Sequence, residues 1–222
     1  MLLSRYIKNI MNSQSQSHTT AKRAYCQHCE RPEKACICKF SCNITNDVKV
    51  LVLQHPSEVK QTKGTVSLLS MSLTDIDVVV GEDFTDNAMV NAFILQHSPC
   101  YLLYPKDNAQ VIVPVSERTA DFKSPKSIII IDGTWKKAYR MFQLSQNLQA
   151  LPSLVLPSGI ESHYEIRKTK KQQALSSLEA CINALALLEE NQAKYQPLLD
   201  NFVKFNQFQL SFTPNRTLSK PE

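Results

Sequence analysis

The chain predicts an α/β fold, a mostly parallel sheet with flanking helices, together with a small N-terminal cysteine module. Three observations carry this expectation. Short runs rich in Val, Ile and Leu alternate with helix-like segments from residue 48 to residue 191, the order that builds parallel sheets. The run K-S-I-I-I-I at 126–131 is apolar without alternation, as in a buried strand, and D-G-T-W follows it at once. Ahead of all this stands C-x2-C-x6-C-x-C, made by Cys26, Cys29, Cys36 and Cys38.

In chain order, residues 1–24 are polar and aperiodic and read as a disordered leader, and 25–42 is the cysteine module. V-K-V-L-V-L-Q at 48–54 is a strand that stops at His55-Pro56. Gly64-Thr65 opens a short helix within 60–72, and 78–80 is a strand ending at Gly81. A helix is expected over 87–96 with Met89, Phe93 and Ile94 on one side. Strands follow at 100–104, stopped by Pro105, and at 111–113. After the strand at 126–131 comes a helix over 134–144, then a short extended piece at 154–156. The longest helix is expected over 172–191, with Leu175, Leu178, Ile182 and Leu185 at spacings of three, four and three. A last helix spans 195–208 and a tail begins at 214. The α/β domain is thus assigned to 43–191 and the final helix and tail to 192–222.

In an open parallel sheet, ligands bind beyond the carboxyl ends of the strands. Three segments end there with chemistry-bearing residues: His55 to Glu58, Tyr104-Pro105, and Asp132 to Trp135. The four glycines form neither G-x-G-x-x-G nor G-x-x-x-x-G-K-[ST], which argues against a dinucleotide-binding Rossmann enzyme and a P-loop NTPase.

With 222 residues, 43% hydrophobic and 20% charged, the chain can bury a sizeable core. The net charge of +5 is unevenly spread. Between Gly133 and Lys171 there are seven cations (Lys136, Lys137, Arg140, Arg167, Lys168, Lys170, Lys171) against two acids, a basic stretch suited to an acidic partner. No run approaches the roughly 18–20 apolar residues of a membrane span. Seven cysteines with tight spacing point to metal thiolates in a reducing compartment such as the cytoplasm, not to a disulfide framework. Four thiolates within thirteen residues can surround one tetrahedral Zn²⁺ and close all its positions, which makes the ion structural. An iron–sulfur cluster is the alternative.

Two site residues have plain structural readings beside functional ones. Asp132 stands where an N-cap would, a role that keeps a carboxylate ionised and makes it a poor base. Trp135 could pack with Ala138, Tyr139 and Phe142 on its own helix. Lys136, Lys137 and Arg140 take another face, suited to phosphates. Ser176 to Glu179 reads S-x-x-E, a capping box.

Six ordered motifs together resemble the DTW-domain family of tRNA-uridine aminocarboxypropyltransferases, from about Tyr25 to Leu188. They are C-x-x-C-x-R-P-x-x-x-C-x-C from Cys26, H-P-x-E from His55, Thr65, L-L-Y-P from Leu102, D-x-T-W from Asp132, and L-S-[ST]-L-E-A from Leu175, where Ser177 replaces the Thr expected there. The resemblance implies a fold related to the knotted, SPOUT-type RNA methyltransferases. It implies transfer of the 3-amino-3-carboxypropyl arm of S-adenosylmethionine to N3 of a tRNA uridine, with 5′-methylthioadenosine released. The variable loop is the first expectation for the acceptor and the D-loop the second. It places Asp132, Thr134 and Trp135 in the catalytic site, and His55, Thr65, Leu103, Tyr104, Pro105 and Glu179 around the donor. Lys136, Lys137, Arg140, Arg167 and Lys168 are expected to meet tRNA. Asp132 would remove the N3 proton or orient the uracil edge, and Trp135 would stack on a base or face the sulfonium. The alternatives are a knotted-class tRNA methyltransferase and a non-catalytic, zinc-containing RNA-binding protein. Both a dimer and a chain acting alone are compatible with the resemblance.

Overall fold

The computed structural model describes residues 24–160, 162 and 175–212. The chain divides into two compact units with the boundary between Cys36 and Ile37. The larger is a six-stranded, all-parallel sheet in the order β2-β1-β5-β3-β6-β4, flanked by helices. Its strands are β1 (Lys49–Gln54), β2 (Ile76–Val80), β3 (Cys100–Leu103), β4 (Gln110–Val111), β5 (Ser127–Asp132) and β6 (Ser153–Val155). The helices are α1 (Val66–Ser70), α2 (Ala88–Gln96), α3 (Trp135–Leu144), α4 (Gln146–Gln149), α5 (Ser177–Leu188) and α6 (Gln192–Ser211). The expected α/β architecture is therefore present. None of these helices is long and apolar enough to cross a membrane.

The two most apolar strands, β1 and β5, sit side by side near the middle of the sheet, and every residue of β5 is buried. Strand alternation divides their side chains between two faces. Leu51, Leu53, Ile129 and Ile131 join Val90, Phe93, Ala138, Met141 and Leu148 in one core cluster. α5 lies against β5 and α1, with α6 packed on it. Its Leu178, Ile182 and Leu185 are fully buried. Parallel registration puts Gln54 opposite Asp132, so the ends of β1 and β5 are level and the segments beyond them meet.

Several details depart from expectation. α2 buries Val90 and Phe93, whereas Met89, in the first turn behind the N-cap Asn87, is exposed. The strand expected at 111–113 is a two-residue edge piece, exposed along its length. α4 was not anticipated from the polar stretch after Leu144. Among the described residues the longest helix is α6 with 20 residues, not the one carrying Leu178. It continues through Pro197. An interior proline costs about 3 kcal/mol, and the fully buried Tyr195, Leu198, Phe202 and Phe205 offset it.

A buried carboxylate fixes the start of β1. Glu189 Oε1 accepts from the backbone N–H groups of Asp47 and Val48, at 2.8 and 3.0 Å. Its Oε2 accepts from Lys194 Nζ and the Tyr195 hydroxyl, each at 2.7 Å. Burial first, and then the Glu189 charge, push the Tyr195 phenol well above its ordinary pKa.

Candidate active site

β5 carries its apolar run to Asp132, and the chain then turns into α3. The turn needs an extended residue whose side chain can accept a helix N–H, and Thr134 supplies it: φ is −66°, ψ is 157°, and Oγ1 accepts from the Lys137 N–H at 3.4 Å. The N-cap is therefore Thr134 and not Asp132. Released from capping, Asp132 is held at 8% exposure by two side-chain donors. Oδ1 accepts from Ser177 Oγ at 2.6 Å, and Oδ2 accepts from Gln54 Nε2 at 3.0 Å. Its carbonyl accepts from the His55 N–H at 3.0 Å. At Gly133 a Cβ would lie 3.2 Å from Lys137 Cβ and 3.7 Å from His55 Cβ, so the β1 and β5 ends approach too closely for a larger residue without adjustment.

Beside this turn, at the carboxyl ends of β3 and β5, lies a cavity of about 240 Å³. Its wall is drawn from three stretches distant in sequence: Leu103 to Pro105, Ile130 to Trp135 with Asp132 omitted, and Leu175 to Ser177, with Ala138 and Ala180 completing it. Trp135 is 55% exposed, so it stands at the cavity and does not fill the core of α3. Tyr104 stacks on Phe142 with centroids 4.8 Å apart, and its phenol is raised by burial first and by neighbouring Tyr139 second. The Ser153 hydroxyl lies against the carbonyls of Leu102 and Tyr104 and holds the end of β3 in place.

The remaining residues expected around a donor do not line the cavity. Thr65 is buried at the start of α1. Glu179 completes a capping box: Ser176 N–H donates to its Oε2 at 2.8 Å, and its own N–H donates to Ser176 Oγ at 3.2 Å. It positions the first turn of α5, whose Ser176 and Ser177 reach the cavity. His55 Nδ1 accepts from the Ser57 N–H at 3.1 Å, which leaves the ring proton on Nε2, 3.4 Å from Glu82 Oε1.

The basic residues of α3 are not equivalent. Lys137 Nζ lies 2.7 Å from buried Glu58 and 2.6 Å from Ser57 Oγ, which tethers the turn after β1 to α3. Arg140 Nε lies 3.3 Å from Glu82 Oε2, with most of its side chain in solvent. Lys136 is exposed and makes no ion pair among the described residues. Arg167 and Lys168 lie outside the described residues. Sequence reading missed Gln54, Glu82 and the hydroxyl of Ser177. Gln54 could have been noticed as a polar end to an apolar strand, and Ser177 as part of its motif, but Glu82 carried no signal.

In the cysteine module, the Sγ atoms of Cys26, Cys29, Cys36 and Cys38 all lie within 4.8 Å of one another. None of the four is in a disulfide, and the Cys29 and Cys36 sulfurs are 3.8 Å apart. Four sulfurs about 2.3 Å from a tetrahedral centre would be about 3.8 Å apart. The set is therefore shaped to hold one metal ion. A tight turn forms it: Cys26 N–H donates to the Arg31 carbonyl at 2.8 Å, Glu30 N–H to the Cys26 carbonyl at 2.9 Å, and Glu30 adopts φ 55°.

Comparison with known proteins adds the following. A family model described as DTW domain matches residues 23–210. The tRNA-uridine aminocarboxypropyltransferase 2 of Macaca fascicularis is 29% identical over 204 residues, covering 90% of this chain and 68% of the relative. The protein of the same name from Drosophila melanogaster is 30% identical over 184 residues, 80% of this chain and 72% of the relative. The tRNA-uridine aminocarboxypropyltransferase A of Arabidopsis thaliana is 25% identical over 138 residues, 56% and 52% of the two chains. No solved structure gives a significant match.

Proposed function

The chain belongs to the DTW domain family, and we propose that it transfers the 3-amino-3-carboxypropyl arm of S-adenosylmethionine to N3 of a uridine in tRNA, releasing 5′-methylthioadenosine. The observation that carries this reading is the cavity itself. D-G-T-W, the end of L-L-Y-P and the start of L-S-S-L-E-A wall one space at the carboxyl edge of a parallel sheet. The donor sulfonium supplies a carbon ready for displacement, so the protein's task is chiefly to hold two partners in line. Apolar Leu103, Pro105, Ile130 and Ala138 suit the adenosine and thioether parts of such a donor. Trp135, aromatic and half-exposed at the mouth, suits a base face or the sulfonium charge.

Two further elements follow from the same reading. Lys136 and the exposed guanidinium of Arg140, both on α3, meet tRNA phosphates. The four-thiolate set holds Zn²⁺, which has no open position for substrate and shapes a short segment that has little core of its own.

The test combines the purified protein, unmodified tRNA and S-adenosylmethionine, followed by nucleoside mass spectrometry. A uridine gaining the aminocarboxypropyl mass is expected. A gain of a methyl mass would move the chain to the methyltransferases. Saturable tRNA binding with no product from a broad tRNA pool would leave a binding protein.

A further inference from the structure

Asp132 does not reach the cavity, but Ser177 does. Ser177 is among the lining residues and partly exposed, whereas Asp132 sits behind it, nearly buried. A carboxylate only accepts hydrogen bonds, so the 2.6 Å contact makes Ser177 Oγ the donor and Asp132 Oδ1 the acceptor. The one proton of Ser177 is committed to Asp132, and its oxygen offers only lone pairs to the cavity. Gln54 donates to the other carboxylate oxygen, which holds Asp132 in place between two neutral donors. Ser177 is the first residue of α5 after the N-cap Ser176, so its hydroxyl is not needed to start the helix.

Two other hydroxyls in the same wall have the opposite polarity. Thr134 Oγ1 accepts from the Lys137 N–H, and Ser176 Oγ accepts from the Glu179 N–H. Each keeps its own proton to donate, and each lines the cavity. The wall therefore presents one accepting oxygen together with two hydroxyl donors. The pairing edge of uracil has the complementary set, an N3–H donor between two carbonyl oxygens.

The geometry points to Ser177 as a catalytic residue that receives the N3 proton of the acceptor uridine, with Asp132 as its positioning residue, and to this contact as the selector of uridine over cytidine. The inference rests on the transferase reading and adds to it a chemical role. Cytosine N3 carries no proton, so it would set a lone pair against the Ser177 lone pairs. In the transfer, the N3–Cγ bond forms as the Cγ–S bond breaks, and the sulfur keeps that electron pair as a neutral thioether. The N3 proton passes to Ser177 Oγ while the proton of Ser177 passes to Asp132 Oδ1. Asp132 returns that proton to water once the modified uridine leaves.

The test uses the full chain with Ser177→Ala and Ser177→Thr. Alanine is well tolerated in a first helical turn, and a thermal melt checks that the fold is kept. Ser177→Ala is expected to lower the transfer rate at pH 7 by about 10²–10⁴-fold. Its rate should then climb about tenfold per pH unit, because N3 must ionise unaided. Ser177→Thr should restore both the rate and the wild-type pH profile. A second readout needs no donor: fluorescence of Trp135, the single tryptophan, titrated with oligouridylate and with oligocytidylate. The wild type should prefer the uridine oligomer, and Ser177→Ala should lose that preference. A Ser177→Ala protein with wild-type rate, pH profile and base preference would overturn the inference while leaving the transferase reading intact. A wild type that makes no product would overturn the transferase reading and, with it, the proton-transfer step.

Discussion

Removing the metal from the cysteine module should change the chain's thiol chemistry in a countable way. Of the seven cysteines, Cys26, Cys29, Cys36 and Cys38 form the metal set. Cys100 and Cys181 are buried in the α/β core, and burial pushes the Cys100 thiol up to about 11 and the Cys181 thiol higher still. Only Cys42 is left, partly exposed, with its sulfur accepting from Asn201 Nδ2 at 3.5 Å. At pH 8 a thiol-reactive chromogen should therefore find about one fast thiol in the metal-loaded protein, about five after chelation, and all seven only in denaturant. The metal should contribute on the order of 10 kcal/mol of apparent folding energy to the module, so protease cleavage near the cysteines should appear on chelation. X-ray absorption should find four sulfurs about 2.3 Å from the ion, the radius implied by the 3.8 Å separation of Cys29 and Cys36 sulfurs. Five fast thiols before chelation, an unchanged count after it, or a first shell containing nitrogen or oxygen would refute the reasoning.

Other consequences follow from individual contacts. Lys136→Ala should reduce the slope of log K against log salt for tRNA binding by about 1, while Lys137→Ala should leave the slope nearly unchanged. Lys137→Ala should instead cost about 1–3 kcal/mol in urea unfolding, less than a fully buried pair because its side chain is 32% exposed. An equal loss of slope in both variants would show that Lys137 reaches RNA. Trp135→Ala should weaken single-strand binding by about 1–3 kcal/mol through lost stacking, read by filter binding, with Trp135→Phe intermediate. Ser176→Ala removes the N-cap of α5 and should cost about 0.5–2 kcal/mol with an unchanged urea m-value. Alkaline pH should destabilise the protein through the two buried thiols, Cys100 and Cys181. The Cys100 pKa is raised from 9.0 to about 11 and that of Cys181 higher still, so the contribution of each is complete below pH 9, and that of Cys100 is lost between pH 9 and 11 at up to about 1.4 kcal/mol per unit. Replacing Cys100 by Ala should make the alkaline limb between pH 9 and 11 shallower; an unchanged slope would remove Cys100 as a cause.

What was legible in the sequence was periodic or local. The isoleucine run of β5 and the V-K-V-L-V-L-Q of β1 announce buried strands, because a strand covered on both faces has no polar side to show. The cysteine spacing announces a metal set because a single ion must be reached from one short loop. The Ser176–Glu179 capping box reads directly from its spacing, since a helix N-terminus is satisfied within one turn. The six ordered motifs pointed to the DTW family, and the match over residues 23–210 bears that out.

What tertiary structure decided was which of several satisfactory local options each side chain took. Asp132 and Thr134 both suit an N-cap in isolation. The choice fell to Thr134 because β5 runs level with β1 and α5 starts nearby, which gives Asp132 the Gln54 amide and the Ser177 hydroxyl as partners. Trp135 faces the cavity because Ala138 and Met141 already fill the buried side of α3. Lys137 and Arg140 look alike in sequence, yet one is tied to a buried carboxylate and the other remains largely in water. Local sequence sets backbone periodicity through interactions within a few residues. The partners of a polar side chain come from segments 45–79 positions away, and only packing of the sheet brings them within hydrogen-bond range.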